Sequence, residues 1–161
     1  MFSTISAHSG RVNALLITPT GNRLISASSD MSIIFWQLPS GEMDKMLTAH
    51  TKPVRGLAIA RDGEHFFSAG SDQTARVWSL NEAREISSFS RHDDWVQTVA
   101  PMPDGKQAIS GSSDNTLRIW KIETCRQGRS FTGHSGWVRD VRISPNDQFQ
   151  NGRFFISAAH D

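Results

Sequence analysis

Serine, histidine and aspartate held together can build a nucleophile, and this 161-residue chain carries the three in a recurring set. His8, Ser26 and Asp30 are followed by His50, Ser68 and Asp72, then by His92, Ser110 and Asp114, each residue 42 positions after its counterpart. A tryptophan keeps the same frame at Trp36, Trp78 and Trp120, and His134 extends the histidine series. Nucleophilic catalysis needs a single pocket with an oxyanion hole. A set made once per repeat, in turns and strands, argues against that chemistry. Metal binding fares no better. The periodic histidines belong to different repeats and cannot converge on one ion, and the chain has no Cys-x-x-Cys and no His-Glu-x-x-His. His65 and His160 fall outside the register. The glycines sit in turns between strands rather than between a strand and a helix, so no phosphate loop is expected. The sequence therefore predicts no enzyme, with no catalytic residue, metal or cofactor.

The elements that must position these residues share the period. Val12, Val54, Val96 and Val138 lie four residues after each histidine, and Leu15, Leu57, Val99 and Val141 three further on. Apolar Ile5, Leu47, Phe89 and Phe131 precede the histidines by three. The turns "TPTGN", "ARDGE" and "MPDGK" place glycine where a tight turn needs positive φ. "VNALLI", "RLISAS" and "SIIFWQL" are short, rich in β-branched, aliphatic and aromatic residues, and bounded by turns, so they read as strands. No amphipathic helix of useful length is visible. Four strands in about 42 residues is what one propeller blade requires, and a lone blade cannot bury both of its faces. The fold class predicted is all-β: propeller blades of four-stranded antiparallel sheets, incomplete, with three full repeats and a truncated fourth. The chain reads as one partial propeller, 1–161, with repeats at about 2–40, 43–82, 85–124 and 127–161.

Composition bounds the setting. Hydrophobic residues make up 37% and charged residues 20%, and the net charge is +1, so no global field points to nucleic acid or membrane. One stretch, 117–142, is locally basic, with Arg118, Lys121, Arg126, Arg129, Arg139 and Arg142 against Glu123 and Asp140. The single Cys125 precludes an internal disulfide and fits a reducing compartment. "MFSTISAHSG" lacks the charged region and apolar run of a secretory signal. Nothing approaches the ~18 apolar residues of a membrane span. A cytoplasmic, intracellular setting is expected, the nucleus included.

The residues that carry the period resemble the WD40-repeat family over essentially the whole chain. The family's Gly-His stands only in the last repeat, as Gly133-His134; the others read Ala7-His8, Ala49-His50 and Arg91-His92. The literal Trp-Asp pair is missing, since Gln37, Ser79 and Lys121 follow the three tryptophans. The Ser/Asp/Trp/His set then reads as a buried network. Asp accepts from the imidazole, Ser bridges to the histidine, and the indole N–H donates to Ser, because a buried His or Trp N–H must find a partner. The resemblance also implies a face for partner proteins, built by the loop before each inner strand and the turn bearing the Asp. Carried onto this sequence, it comprises Arg11 and Asn13, Pro53 and Arg55, Trp95 and Gln97, Trp137 and Arg139, with Ser29, Ser71, Ser113 and His160 before the aspartates. Trp95, Trp137, Arg55 and Arg139 stand out, because Trp and Arg dominate interface energetics.

The last unit runs 27 residues from His134 to Asp161, against 22 from His8 to Asp30, the extra five falling in "SPNDQFQNGRF" around Phe149. "FSTIS" resembles an outermost strand. Propellers close with ~4–8 blades, so fewer leave sheet faces uncovered and prone to association. The expectation is a piece of a longer propeller protein, or a chain whose copies pair to complete a ring. The function expected is a non-catalytic protein–protein interaction scaffold. The alternatives are a regulatory or targeting module of a multidomain enzyme (kinase-, protease- or NTPase-linked) and an RNA-binding propeller using the Arg118–Arg142 stretch. Nucleic acid is not the partner this composition favours.

Overall fold

A computed structural model describes residues 6–48, 50–144 and 154–161. The proposed outer strand in "FSTIS", and Phe149 with most of the enlarged turn, lie outside the described residues. Fourteen strands and no helix are present among the described residues. The first sheet comprises β1 (Val12–Ile17), β2 (Arg23–Ser28), β3 (Ile33–Gln37) and β4 (Met43–Leu47). The second has β5 (Val54–Ile59), β6 (His65–Gly70), β7 (Ala75–Ser79) and β8 (Arg84–Phe89). The third has β9 (Val96–Pro101), β10 (Gln107–Ser112), β11 (Leu117–Lys121) and β12 (Gln127–Phe131). A two-stranded fourth sheet pairs β13 (Val138–Ile143) with β14 (Phe155–Ala159). Each is an antiparallel meander in sequence order. The predicted propeller blades are thus present, three of them four-stranded, and the propeller is incomplete.

The strands follow from alternation and turns. Gly21, Gly63 and Gly105 take φ of 71°, 70° and 66° at the tips joining the first two strands of each blade, a conformation that strains residues with a Cβ. Inside a blade, successive residues face opposite neighbours, so most middle-strand positions are buried and their apolar side chains pack against the blades on either side. Ala14, Leu16, Ile25, Ala27, Ile33 and Phe35 of the first blade meet Val54, Phe66 and Trp78 of the second. Phe67, Ala69, Ala75 and Val77 of the second meet Val96, Val99 and Trp120 of the third. Ile109 and Leu117 of the third meet Val138 and Val141 of the fourth. Aromatic rings fill these seams: Phe89 stacks on Trp120 at 5.1 Å, and Phe66 on Trp78 at 5.9 Å. The core is therefore three inter-blade layers rather than one centre, as stacked repeats require.

Among the described residues, two blade faces have no neighbour. Leu15 and Ile17 point away from the second blade and are 63% and 60% exposed, and Ile156 on the opposite end is 78% exposed.

One irregularity recurs. In every blade the pairing of the inner strand with its neighbour shifts by one residue, between Val12 and Ala14, Val54 and Gly56, Val96 and Thr98, and Val138 and Asp140. The residue left unpaired is Asn13, Arg55, Gln97 or Arg139. Such bulges re-aim a side chain away from the sheet face.

Candidate functional site

The Ser/His/Asp/Trp sets come together as hydrogen-bonded chains inside the blades. In the second blade His50 Nδ1 lies 2.9 Å from Asp72 Oδ2, His50 Nε2 2.6 Å from Ser68 Oγ, and Trp78 Nε1 donates to that oxygen at 2.8 Å. The first blade matches it, with His8 to Asp30 at 2.9 Å, His8 to Ser26 at 2.7 Å and Trp36 to Ser26 at 2.8 Å. So does the third, with His92 to Asp114 at 2.8 Å, His92 to Ser110 at 2.7 Å and Trp120 to Ser110 at 2.7 Å. An ionised carboxylate only accepts, which makes Nδ1 the donor. In the neutral ring Nε2 then accepts from the serine hydroxyl. Every side-chain polar atom of these networks is used. Ser68 and Ser110 are 0% exposed and their oxygens are capped by an indole. They present no nucleophile to a substrate, despite the resemblance to a triad.

The aspartates are held ionised. Burial pushes the carboxyls of Asp30, Asp72 and Asp114 upward, but hydrogen bonds outweigh it and hold all three well below the usual carboxylate range. The donors include the histidines, the backbone N–H groups of Ser9, Thr51 and Asp93, and the hydroxyls of Ser32, Thr74 and Thr116. Those hydroxyls also keep the 42-residue spacing, two residues after each Asp, a signal legible in the sequence but passed over. Arg76 and Arg118, four residues after Asp72 and Asp114, add ion pairs at 3.1 Å and 3.5 Å. A fourth set forms across the five-residue insertion: His134 contacts Asp161, its counterpart in the repeat, at 2.9 Å, and Ser157, which the sequence reading did not single out, at 2.8 Å.

The second group of residues lies at the rim where the inner strands begin. The bulged side chains there reach the serine preceding each Asp: Asn13 Nδ2 donates to Ser29 Oγ at 3.0 Å, Arg55 Nε to Ser71 Oγ at 2.7 Å, and Gln97 Nε2 to Ser113 Oγ at 2.7 Å. Asn13 also donates to Val54 O at 2.7 Å, tying the first blade to the second. Gln97 is buried, with its amide engaged. These two candidates are used inside the molecule, the one as a blade-to-blade tie and the other as a buried cap, because their short amides end within reach of the serine. The longer guanidiniums behave differently. Arg55 extends across the blade boundary to lie 4.7 Å over the ring of Trp95. Arg139 finds His160 where the other blades have serine, and lies 5.3 Å over Trp137 instead. Trp95 and Trp137 are 39% and 47% exposed. Pro53 occupies the equivalent place in the second blade, and Arg11, exposed, in the first.

The basic stretch 117–142 does not form one surface. Arg118 turns back to Asp114 and Asp93, and Arg142 pairs with Asp140 at 2.9 Å. Arg129 lies on β12, the outer strand of the third blade, and Arg139 on β13, the inner strand of the fourth, which neighbours β9 at the far edge of the third from β12. No cluster of three metal-ligating side chains occurs among the described residues.

The model of the "WD domain, G-beta repeat" family matches residues 2–37, 41–79, 83–121 and 125–161. Among curated proteins none matches. Many solved structures are similar in fold, two of them as follows. "Structure of U3-55K" has a TM-score of 0.80 and 24% identity, covering 85% of this chain and 44% of that one. "Crystal structure of RRP9 WD40 repeats" has a TM-score of 0.80 and 24% identity, covering 85% of this chain and 43% of that one. The chain spans less than half the length of either. With the family motif accounting for the frame in all four repeats, the repeating buried network, the blades and the matched residues lead to one conclusion: the chain belongs to the WD domain, G-beta repeat family.

Proposed function

We propose that the chain is a non-catalytic platform for other proteins, and that its contact face is the rim carrying Trp95, Trp137, Arg55 and Arg139. One observation carries this reading. Of the five tryptophans, Trp36, Trp78 and Trp120 are buried as network donors, whereas Trp95 and Trp137 are left half-exposed on one rim, each under a guanidinium. Exposed Trp and Arg side by side are the residues that anchor protein interfaces. The non-catalytic part of the reading is supported by the burial of the network serines. The test is capture of proteins from a cell lysate on the immobilised chain, quantified by mass spectrometry beside the Trp95→Ala/Trp137→Ala double variant. The expected result is loss of the captured set with an unchanged melting temperature. Retention of the same set, or collapse of the fold, would overturn the assignment.

A second reading concerns the uncovered blade faces. Leu15 and Ile17 occupy the positions that Leu57 and Ile59 occupy one blade later, where they pack against a neighbouring blade. The exposed face is therefore shaped to receive another blade, from further chain or from a second copy.

A further inference from the structure

We propose that the rim receives an extended, acidic segment of a partner protein, with clustered Asp and Glu side chains held by Arg11, Arg55 and Arg139. The inference rests on the reading of that rim as the contact face, and names the chemistry of what binds there.

Charge pairing and proximity together set these three arginines apart. Arg23, Arg76, Arg84, Arg118 and Arg142 each face a carboxylate of the chain. Arg11, Arg55 and Arg139 have no carboxylate partner among the described residues. They are also near one another: burial first, then the positive charges of Arg139 and Arg11, lower the pKa of Arg55. Two acids near the rim are paired elsewhere, Asp140 with Arg142 and Asp93 with Arg118. Like charges gathered without an ion-pair partner repel one another and favour an anion that can pair with them.

The geometry is prepared for carboxylates. Arg55 is fixed by Ser71 at its Nε and by the face of Trp95, so its terminal N–H groups remain for a ligand. Arg139 owes its freedom to the replacement of serine by His160, which removes the hydroxyl acceptor used by the other blades. A guanidinium held over an indole is already partly ordered and loses little entropy on pairing. Nucleic acid fits less well. One face of each exposed indole is already covered by a guanidinium, whereas stacking of bases needs open aromatic faces beside a continuous basic track. Arg129 lies on the outer strand of the third blade and Arg139 on the inner strand of the fourth, with the width of the third blade between them, so they do not form such a track.

The test is fluorescence anisotropy of the full 161-residue chain with three labelled probes at low salt: a Glu–Gly repeat peptide, the same peptide with Gln for Glu, and polyuridine of matched length. The Glu peptide should bind at least about tenfold more tightly than the Gln peptide, an advantage that fades as salt screens the charges. Arg11→Gln and Arg139→Gln, both at exposed positions, should each weaken it about fivefold to tenfold, and Arg129→Gln should not. Arg139→Lys should recover part of the loss. Equal binding of the Glu and Gln peptides, or indifference to Arg11 and Arg139, would overturn the proposal. Tighter binding of polyuridine through the same arginines would overturn it in favour of nucleic acid. If charge preference is missing while lysate capture still depends on Trp95 and Trp137, only the acidic assignment fails; if both are missing, the platform reading fails with it.

Discussion

Removing one hydroxyl from the centre of a buried network should cost most where a neighbouring blade seals it. Ser68 Oγ is the hub between Trp78 Nε1 and His50 Nε2, and the residue is 0% exposed. Ser68→Ala leaves a buried donor and a buried ring nitrogen without partners in a gap too small for water. Each orphaned group costs about 1–3 kcal/mol, so a total near 3 kcal/mol is expected for this site. Ser110 is equally sealed and should behave alike. Ser26 has the same partners, but it lines an open cavity beside Leu15, Leu24 and Trp36 on the uncovered blade face. Water can reach the site there, and about 1 kcal/mol should be lost. Ser157 serves only His134 in a half-exposed pair and should cost less than about 1 kcal/mol. With about 2–4 °C per kcal/mol for a chain of this size, Ser68→Ala should lower the melting temperature by about 6–12 °C, and Ser157→Ala by less than about 4 °C. A double-mutant cycle of Ser68→Ala with Trp78→Phe, read by urea melts, should show coupling of about 1–2 kcal/mol, because Phe removes the orphaned N–H. Equal losses at Ser68 and Ser157, or additive effects in the cycle, would refute the network as the source of the stability.

Further outcomes follow from the same geometry. The carboxyls of Asp30, Asp72 and Asp114 sit below their unfolded value, so the stability they add is present above about pH 4 and is lost as pH falls toward their folded values. The urea midpoint should hold steady from about pH 7 to 5 and drop below about pH 4, less steeply in Asp72→Asn; a midpoint flat into strong acid would contradict this. A Cβ built at Gly56 falls 2.9 Å from the backbone oxygen of Gln97, so Gly56→Ala should destabilise by about 1–3 kcal/mol through the seam between β5 and β9, and wild-type stability would mean the seam yields. Light scattering should give a mass above 17.9 kDa for the native chain and closer to it for Leu15→Lys, since the lysine breaks the uncovered apolar face. A monomeric native chain would count against association through that face.

The blade and its network were legible in the sequence because both are local. A strand's alternation, the glycine turns and the spacing of His, Ser, Asp and Trp all act within one sheet of about 40 residues, and repetition averages away the noise of any single copy. The hydroxyls of Ser32, Thr74 and Thr116 obey the same frame, and His134 and Asp161 align with it across the insertion, which hid only Ser157. The rim is another matter. Asn13, Arg55, Gln97 and Arg139 hold equivalent positions in four repeats, yet the first ties two blades, the third is buried, and the other two reach exposed tryptophans. A bulge at each position aims the side chain, and the angle between successive blades decides what it meets. Neither leaves a mark in the spacing of residues. The sequence by itself determined the repeating unit, since hydrogen bonds and alternation within a sheet are set by near neighbours along the chain. Only the tertiary structure decided which equivalent residues were spent inside and which guanidiniums converged, because those contacts cross blade boundaries.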